Sequence, residues 1–210
     1  MHGTFRRRDL PHWDVPGATY FITFCLAGSI PAAGVAAISL KWRAKALQPP
    51  TGTSARQWQQ VCAAAAFVEA DRALDRSPAA RWLADPSLAA TVEGCLRFDD
   101  GRRHRVLAYV VMPNHCHLLI DTAGGDSPAD PRTSRERIVH SIKRHAAREC
   151  NRLLGRTGRF WQTESYDRVV RNDDERQRIA RYIEWNPVKA GLCDEPARWR
   201  FSSAYQAEGG

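Results

Sequence analysis

Apolar positions along the 210-residue chain follow two different periods. β-Branched and aromatic runs predict strands over 18–28 (ATYFITFCLAG), 105–112 (RVLAYVVM) and 115–122 (HCHLLIDT). Only Pro113 and Asn114 separate the last two. That leaves no room for a crossover helix, so they should be antiparallel neighbours or one bent strand. Over 134–154, Ile138, Ile142, Ala146 or Ala147, Cys150 and Leu153 recur at helical spacing, which predicts an amphipathic helix ended by Gly155 and Gly158. The alanine-rich stretch 56–74 and the stretch 86–98, opened by Pro86 and Ser87, are further predicted helices. The segment 173–186 has acidic residues in its first turn, as the helix dipole favours. Pro187 should stop it near Asn186, because a residue before proline avoids the α region. Residues 29–56 are mixed around a loop at 47–54, 99–104 read as a turn, 123–134 as a loop, and 160–170 as a loop with a short strand. The order is strand, helices, two strands, helix, short strand, helix. It predicts an α+β sandwich with helices on one face of an antiparallel sheet.

Charge adds a partner to this picture. Thirty-one Lys and Arg against 23 Asp and Glu give a net charge of +8, dense from Arg132 to Arg181. A basic balance points first to a polyanion, nucleic acid before an anionic membrane. The six cysteines are scattered, with no C-x-x-C pair, and several sit in apolar runs. This fits reduced thiols in a cytoplasmic, nucleoid-associated protein better than a disulfide framework. No apolar run reaches membrane-spanning length, and the arginine-rich N-terminus lacks the apolar core of a secretory signal.

The candidate chemistry sits in two short stretches. In a strand, residues two apart face the same way, so His115 and His117 project together while Cys116 points to the other face. Two imidazoles at that spacing can share a divalent metal, or can be buried histidines held by hydrogen bonds. In RYIEWNPVKAGL (181–192), Tyr182 and Asn186 are four apart at the end of a helix and share a face. The phenol is a possible covalent nucleophile and the amide oxygen a possible metal ligand. Equally, Tyr182 could be a core aromatic and Asn186 a helix cap. Taken together, two histidines, one amide oxygen and a phenol make a site that could hold Mg²⁺ or Mn²⁺ against a phosphate. Such a site suits transesterification of a nucleic-acid phosphodiester. The same donors could also take zinc or nickel.

YVVMPNHCHLLI (109–120) resembles the histidine–hydrophobic–histidine (HUH) motif of single-tyrosine DNA transposases. GATYFITFCLAG (17–28), the stretch 141–192 with its YIEWNPVKAGL, and WRFSSAY (199–205) complete a similarity to REP-associated tyrosine transposases, relatives of the small insertion-sequence transposases. The resemblance implies a ferredoxin-like or RRM-like sandwich with the HUH residues on a central strand. It implies that His115, His117 and Asn186 are metal ligands and that Tyr182 is the nucleophile. The implied reaction cleaves and rejoins single-stranded DNA at hairpins or palindromic repeats through a 5′-phosphotyrosine link. It needs a divalent metal and no organic cofactor. Cys116 replaces the more usual aliphatic residue and serves as a small hydrophobe. Tyr166 is a second tyrosine near the motif, but a valine, Val170, stands four positions on where a ligand would be needed. Residues 29–100 match no motif and read as a variable segment within a single domain spanning 1–210. The C-terminal stretch 199–210 favours a monomer acting in cis over a dimer.

Lys143, Arg144, Arg148 and Arg152 on the basic helix, and Arg6 and Arg7 in FRRRDLPHW (5–13), are candidate DNA contacts; solvated surface and a frayed terminus are the competing readings. His104, His140 and His145 read as surface histidines, and Trp161, Trp185 and Trp199 as packing residues. Two other functions remain open: a non-cleaving hairpin- or sequence-specific DNA-binding protein derived from such a transposase, and a hydrolase that uses water as its nucleophile.

Overall fold

The computed structural model describes residues 4–7, 11–29, 32–75, 80–123, 134–163 and 165–207. In chain order the elements are β1 (Thr4–Arg7), β2 (Pro11–Asp14), β3 (Thr19–Cys25), α1 (Ala32–Ala46), α2 (Ala55–Asp75), α3 (Pro86–Arg97), β4 (Arg105–Val111), β5 (His115–Asp121), α4 (Arg135–Leu153), β6 (Tyr166–Val169), α5 (Asp173–Glu184) and α6 (Asn186–Lys189). They form two compact units, one of residues 1–26 with 81–210 and one of residues 27–80.

The larger unit is built on a four-stranded antiparallel sheet of order β4-β5-β3-β6. The two closely joined strands are antiparallel neighbours, closed by Met112 N–H donating to the His115 carbonyl at 2.8 Å. Consecutive β4 and β5 thus sit beside β3 rather than after it. This is the ferredoxin-like arrangement, and it makes β5 a central strand. Register decides what each face holds. Thr23 lies opposite His117, Cys25 opposite His115 and Phe21 opposite Leu119, while Ile22 pairs with Leu118 and Phe24 with Cys116. Directly paired residues share a face, so the odd-numbered residues of β3 and β5 make one face and the even-numbered ones the other.

Helices α3 and α4 cover the even face. Phe24 meets Trp161 with ring centroids 6.1 Å apart, and the Trp161 indole N–H donates to the Lys143 carbonyl of α4 at 3.1 Å. The Tyr109 hydroxyl donates to Glu93 of α3 at 2.6 Å, and Arg135 of α4 lies 3.5 Å from Asp167 of β6, both pairs buried. Burial pushes the Cys116 thiol well above the usual range and that of Cys150 up to about 12, so both act as small apolar groups. The odd face is not bare, as a one-faced sandwich predicts. Helix α5 packs on it across β4 and β5, because Ile179 and Ile183 must also be buried.

Local chemistry sets the helix ends. Asp85 caps α3 by accepting from Ser87 N–H at 2.8 Å with Pro86 in the first turn, so the cap stands one residue before the predicted opening. Gly155 takes φ +60° just past α4, a conformation that favours glycine and stops the helix where its spacing predicts. In the smaller unit, Lys41 and Trp42 of α1 both donate to Glu69 of α2, at 2.8 and 2.7 Å. Helix α1 is absent from the sequence reading, because its small residues lack a polar side to set against an apolar stripe. Residues 4–7 and 11–14 pair as an antiparallel hairpin instead of forming a loose arm. The side chains of Arg6 and Arg7, and most of the predicted loop 123–134, lie outside the described residues.

Candidate functional site

The site grows from the odd face of β5. His115 and His117 are both fully buried. Each ring is fixed through its Nδ1. The Asn114 amide oxygen lies 2.7 Å from Nδ1 of His115, and the Thr23 hydroxyl lies 2.7 Å from Nδ1 of His117. An amide oxygen can only accept, so His115 carries its proton on Nδ1 and presents a bare Nε2. The two Nε2 atoms stand 3.2 Å apart. Thr23 reaches His117 only because β3 pairs with β5 in this register.

The third group comes from the far end of α5. Asn172 caps that helix by accepting from Glu175 N–H at 2.8 Å, and the acidic first turn suits the dipole. The helix ends at Glu184, slightly before the predicted stop. Pro187 does not end the helical path. It sits in the first turn of α6, where a missing N–H costs no intrahelical bond. Trp185 keeps right-handed helical angles, and its N–H donates to the Arg181 carbonyl at 2.9 Å, so the chain turns on through the junction. Asn186 therefore stays over the same face as Tyr182. The Asn186 amide is 2 % exposed, and its Nδ2 lies 3.2 Å from Nε2 of His117. Among the described residues its Oδ1 has no hydrogen-bond partner. An orphaned buried oxygen costs roughly 1–3 kcal/mol. A half-turn of the amide would bring that oxygen to His117.

Two imidazole nitrogens and the Asn186 side-chain amide thus converge in a buried space. Separations of 3.2 Å suit ligands of one small cation, whose bonds of about 2.1 Å put neighbouring donors about 3 Å apart. Asn114 and Thr23 hold the two rings as supporting partners of metal-bound histidines do. The Tyr182 ring, half-buried, lies with its centroid 5.8 Å from that of His117 and 6.0 Å from that of Phe21.

The other candidates fall elsewhere. Lys143, Arg144, Arg148 and Arg152 lie on α4, against the even face, across the sheet from the histidines. The Lys143 ammonium donates to the carbonyls of Gln162 and Thr163 at 2.8 and 3.1 Å, and Arg148 and Arg152 both pair with Glu149. Tyr166 pairs with Thr23 on β6 and so shares the odd face, but stands two strands from β5, about 10 Å at ordinary strand spacing. Trp161 is core, and His140 and His145 are exposed. Two readings need correction. His104 is buried, not on the surface, because the turn ahead of β4 folds back, with Gly101 N–H donating to its carbonyl at 2.8 Å. Desolvation lowers its pKa. Trp185 is 47 % exposed and is no packing residue. The sequence could have flagged Asn114, which directly precedes His115. Thr23 had no sequence signal, since only the strand register brings it in.

Comparisons with known proteins find similar proteins among the transposases. The family model "Transposase IS200 like" matches residues 91–186, which hold both histidines, Tyr182 and Asn186. A REP-associated tyrosine transposase of Escherichia coli is 29 % identical over 105 residues, 50 % of this chain and 57 % of that protein. A Haemophilus influenzae protein named for the same group is 27 % identical over 105 residues, 48 % of this chain and 58 % of its own. The chain spans little more than half the length of these curated relatives. A REP-associated tyrosine transposase solved bound to a REP hairpin has the same fold, with a TM-score of 0.53 at 18 % identity over 96 % of this chain and 82 % of that one. Among the described residues no helix is long and apolar enough to cross a membrane. Over residues 91–186 this chain is similar to the IS200-like transposases, and two proteins it resembles are named as REP-associated tyrosine transposases.

Proposed function

We propose that this protein cleaves and rejoins single-stranded DNA at hairpins, with Tyr182 as the nucleophile. The observation that carries the reading is the convergence on His117 of His115, Asn186 and Tyr182. The Tyr182 phenol oxygen attacks the scissile phosphorus. A phosphorus–Oη bond forms, the bond from phosphorus to the 3′-oxygen breaks, and that oxygen leaves as a 3′-hydroxyl once protonated. The phenol proton passes to solvent or to a nearby base. The DNA stays joined through a 5′-phosphotyrosine, and attack by a 3′-hydroxyl reverses the step for rejoining. His115, His117 and Asn186 would hold a divalent cation, Mg²⁺ or Mn²⁺. When bound, it polarises the phosphoryl oxygens and offsets charge in the transition state. Burial keeps bulk water from competing with the phenol.

The substrate reading rests on the family and on the neighbour solved with a REP hairpin. The net charge of +8 supplies attraction to the phosphate backbone. Arg144, Arg148 and Arg152 on α4, with Arg6 and Arg7 on β1, would add to that field, and Lys143 would also brace its own loop. We take the whole chain as one such catalytic domain in which 29–100 is a variable segment, acting as a cytoplasmic monomer in cis.

The test is a denaturing gel of the protein with Mn²⁺ and labelled single-stranded hairpins from DNA flanking its gene. We expect a covalent protein–DNA band that is lost with chelator and reduced more than about 1,000-fold in Tyr182→Phe, while hairpin binding persists. Binding with no such band would favour the non-cleaving DNA-binding reading. A nicked product with no covalent species would favour water as the nucleophile.

A further inference from the structure

We infer that Trp185 and Lys189 form a grip for the unpaired strand beside Tyr182, with the lysine on the scissile phosphate and the indole stacked on an adjacent base. The inference rests on the reading of Tyr182 as nucleophile. Lys189 closes α6, the short helix that Asn186 opens. Its ammonium sits over the Tyr182 ring, 4.3 Å from the centroid. Among the described residues no carboxylate pairs with it. Arg148, Arg152, Arg168 and Arg176, by contrast, all have acidic partners. An exposed, unpaired cation against the ring of the nucleophile is placed to meet the anion that the nucleophile attacks.

Trp185 precedes Lys189 by four residues, and Lys189 N–H donates to its carbonyl at 3.0 Å, so the two lie one helical turn apart. Trp185 is 47 % exposed beside a buried site, so its indole face is open to a flat aromatic partner. Every base has an aromatic face, so an indole here suits single-stranded DNA of any sequence, while a duplex offers no free base to stack. Arg181 is exposed on the preceding turn and adds to the positive field.

The probes are a synthetic hairpin with an unpaired flank and the same hairpin without it. At saturating flanked hairpin and Mn²⁺, Lys189→Gln should slow single-turnover adduct formation about 100-fold, with affinity within a few-fold of wild type. Lys189→Arg should recover most of the rate. Trp185→Ala should weaken binding of the flanked hairpin about 5- to 100-fold and leave the unflanked one unchanged, and Trp185→Phe should restore it. Both residues are exposed, so thermal unfolding should match wild type. Wild-type rates in Lys189→Gln together with wild-type flank binding in Trp185→Ala would overturn the inference. Wild-type protein that forms no adduct overturns the cleavage reading, and the lysine's role with it. Flank binding by Trp185→Ala then decides the stacking role alone.

Discussion

The two faces of the central sheet differ by one residue of strand register and by almost everything in chemistry. On the even face, Cys116, Leu118 and Ile120 pack beneath α3 and α4, with a hydrogen bond from Tyr109 to Glu93 and an ion pair of Arg135 with Asp167 at 3.5 Å. On the odd face, His115 and His117 lie equally buried, yet their Nε2 atoms face each other at 3.2 Å and the Asn186 oxygen has no hydrogen-bond partner among the described residues. The first face is what a stable core requires. The second keeps an amide oxygen buried with no hydrogen-bond partner among the described residues, and such a cost persists where a ligand removes it. Position along one strand separates the packed core from the candidate site here, because a strand sends alternate side chains to opposite sides.

That contrast can be broken from either side. Leu118→Ala on the even face should cost about 2–5 kcal/mol, read as a lower denaturation midpoint. The Kd for Mn²⁺ should not change. A large change in metal affinity would mean that the faces are not independent. Thr23→Val keeps the volume on the odd face but removes the hydroxyl held to Nδ1 of His117. It should weaken Mn²⁺ binding about 10- to 100-fold, seen by calorimetry, and lower stability without metal by about 1–3 kcal/mol, because the buried hydrogen bond to Nδ1 of His117 is lost. Replacing Arg144, Arg148 and Arg152 by alanine together should change least. The ion pairs that Arg148 and Arg152 make with Glu149 are exposed and contribute little to stability. Hairpin affinity should fall and its salt dependence should become shallower by up to about 0.7 per lost phosphate contact. The adduct rate at saturating DNA should stay as in wild type, because α4 lies across the sheet from Tyr182.

The site was largely legible in the sequence because strand and helix periods act over a few residues. His115 and His117 share a face by alternation, and Tyr182 and Asn186 by the helical turn, which survives Pro187. What the sequence could not reveal depends on distant parts of the chain. Thr23 meets His117 through pairing across 94 positions. The basic stripe of α4 was visible, but which side of the sheet it covers follows from Trp161, Tyr109 and Asp167 packing under α3 and α4. Trp185 reads as a core aromatic by residue type, yet its place at the α5–α6 junction leaves it exposed. Helix α1 and the hairpin of β1 and β2 escaped because neither carries a clear apolar stripe.

The most direct measurement is to trap the protein on a flanked hairpin with Mn²⁺, digest the adduct, and find the DNA-linked peptide by mass spectrometry. The account predicts a single linked tyrosine, Tyr182, in the peptide between Arg181 and Lys189. Linkage at Tyr166, or at any residue other than Tyr182, would contradict it.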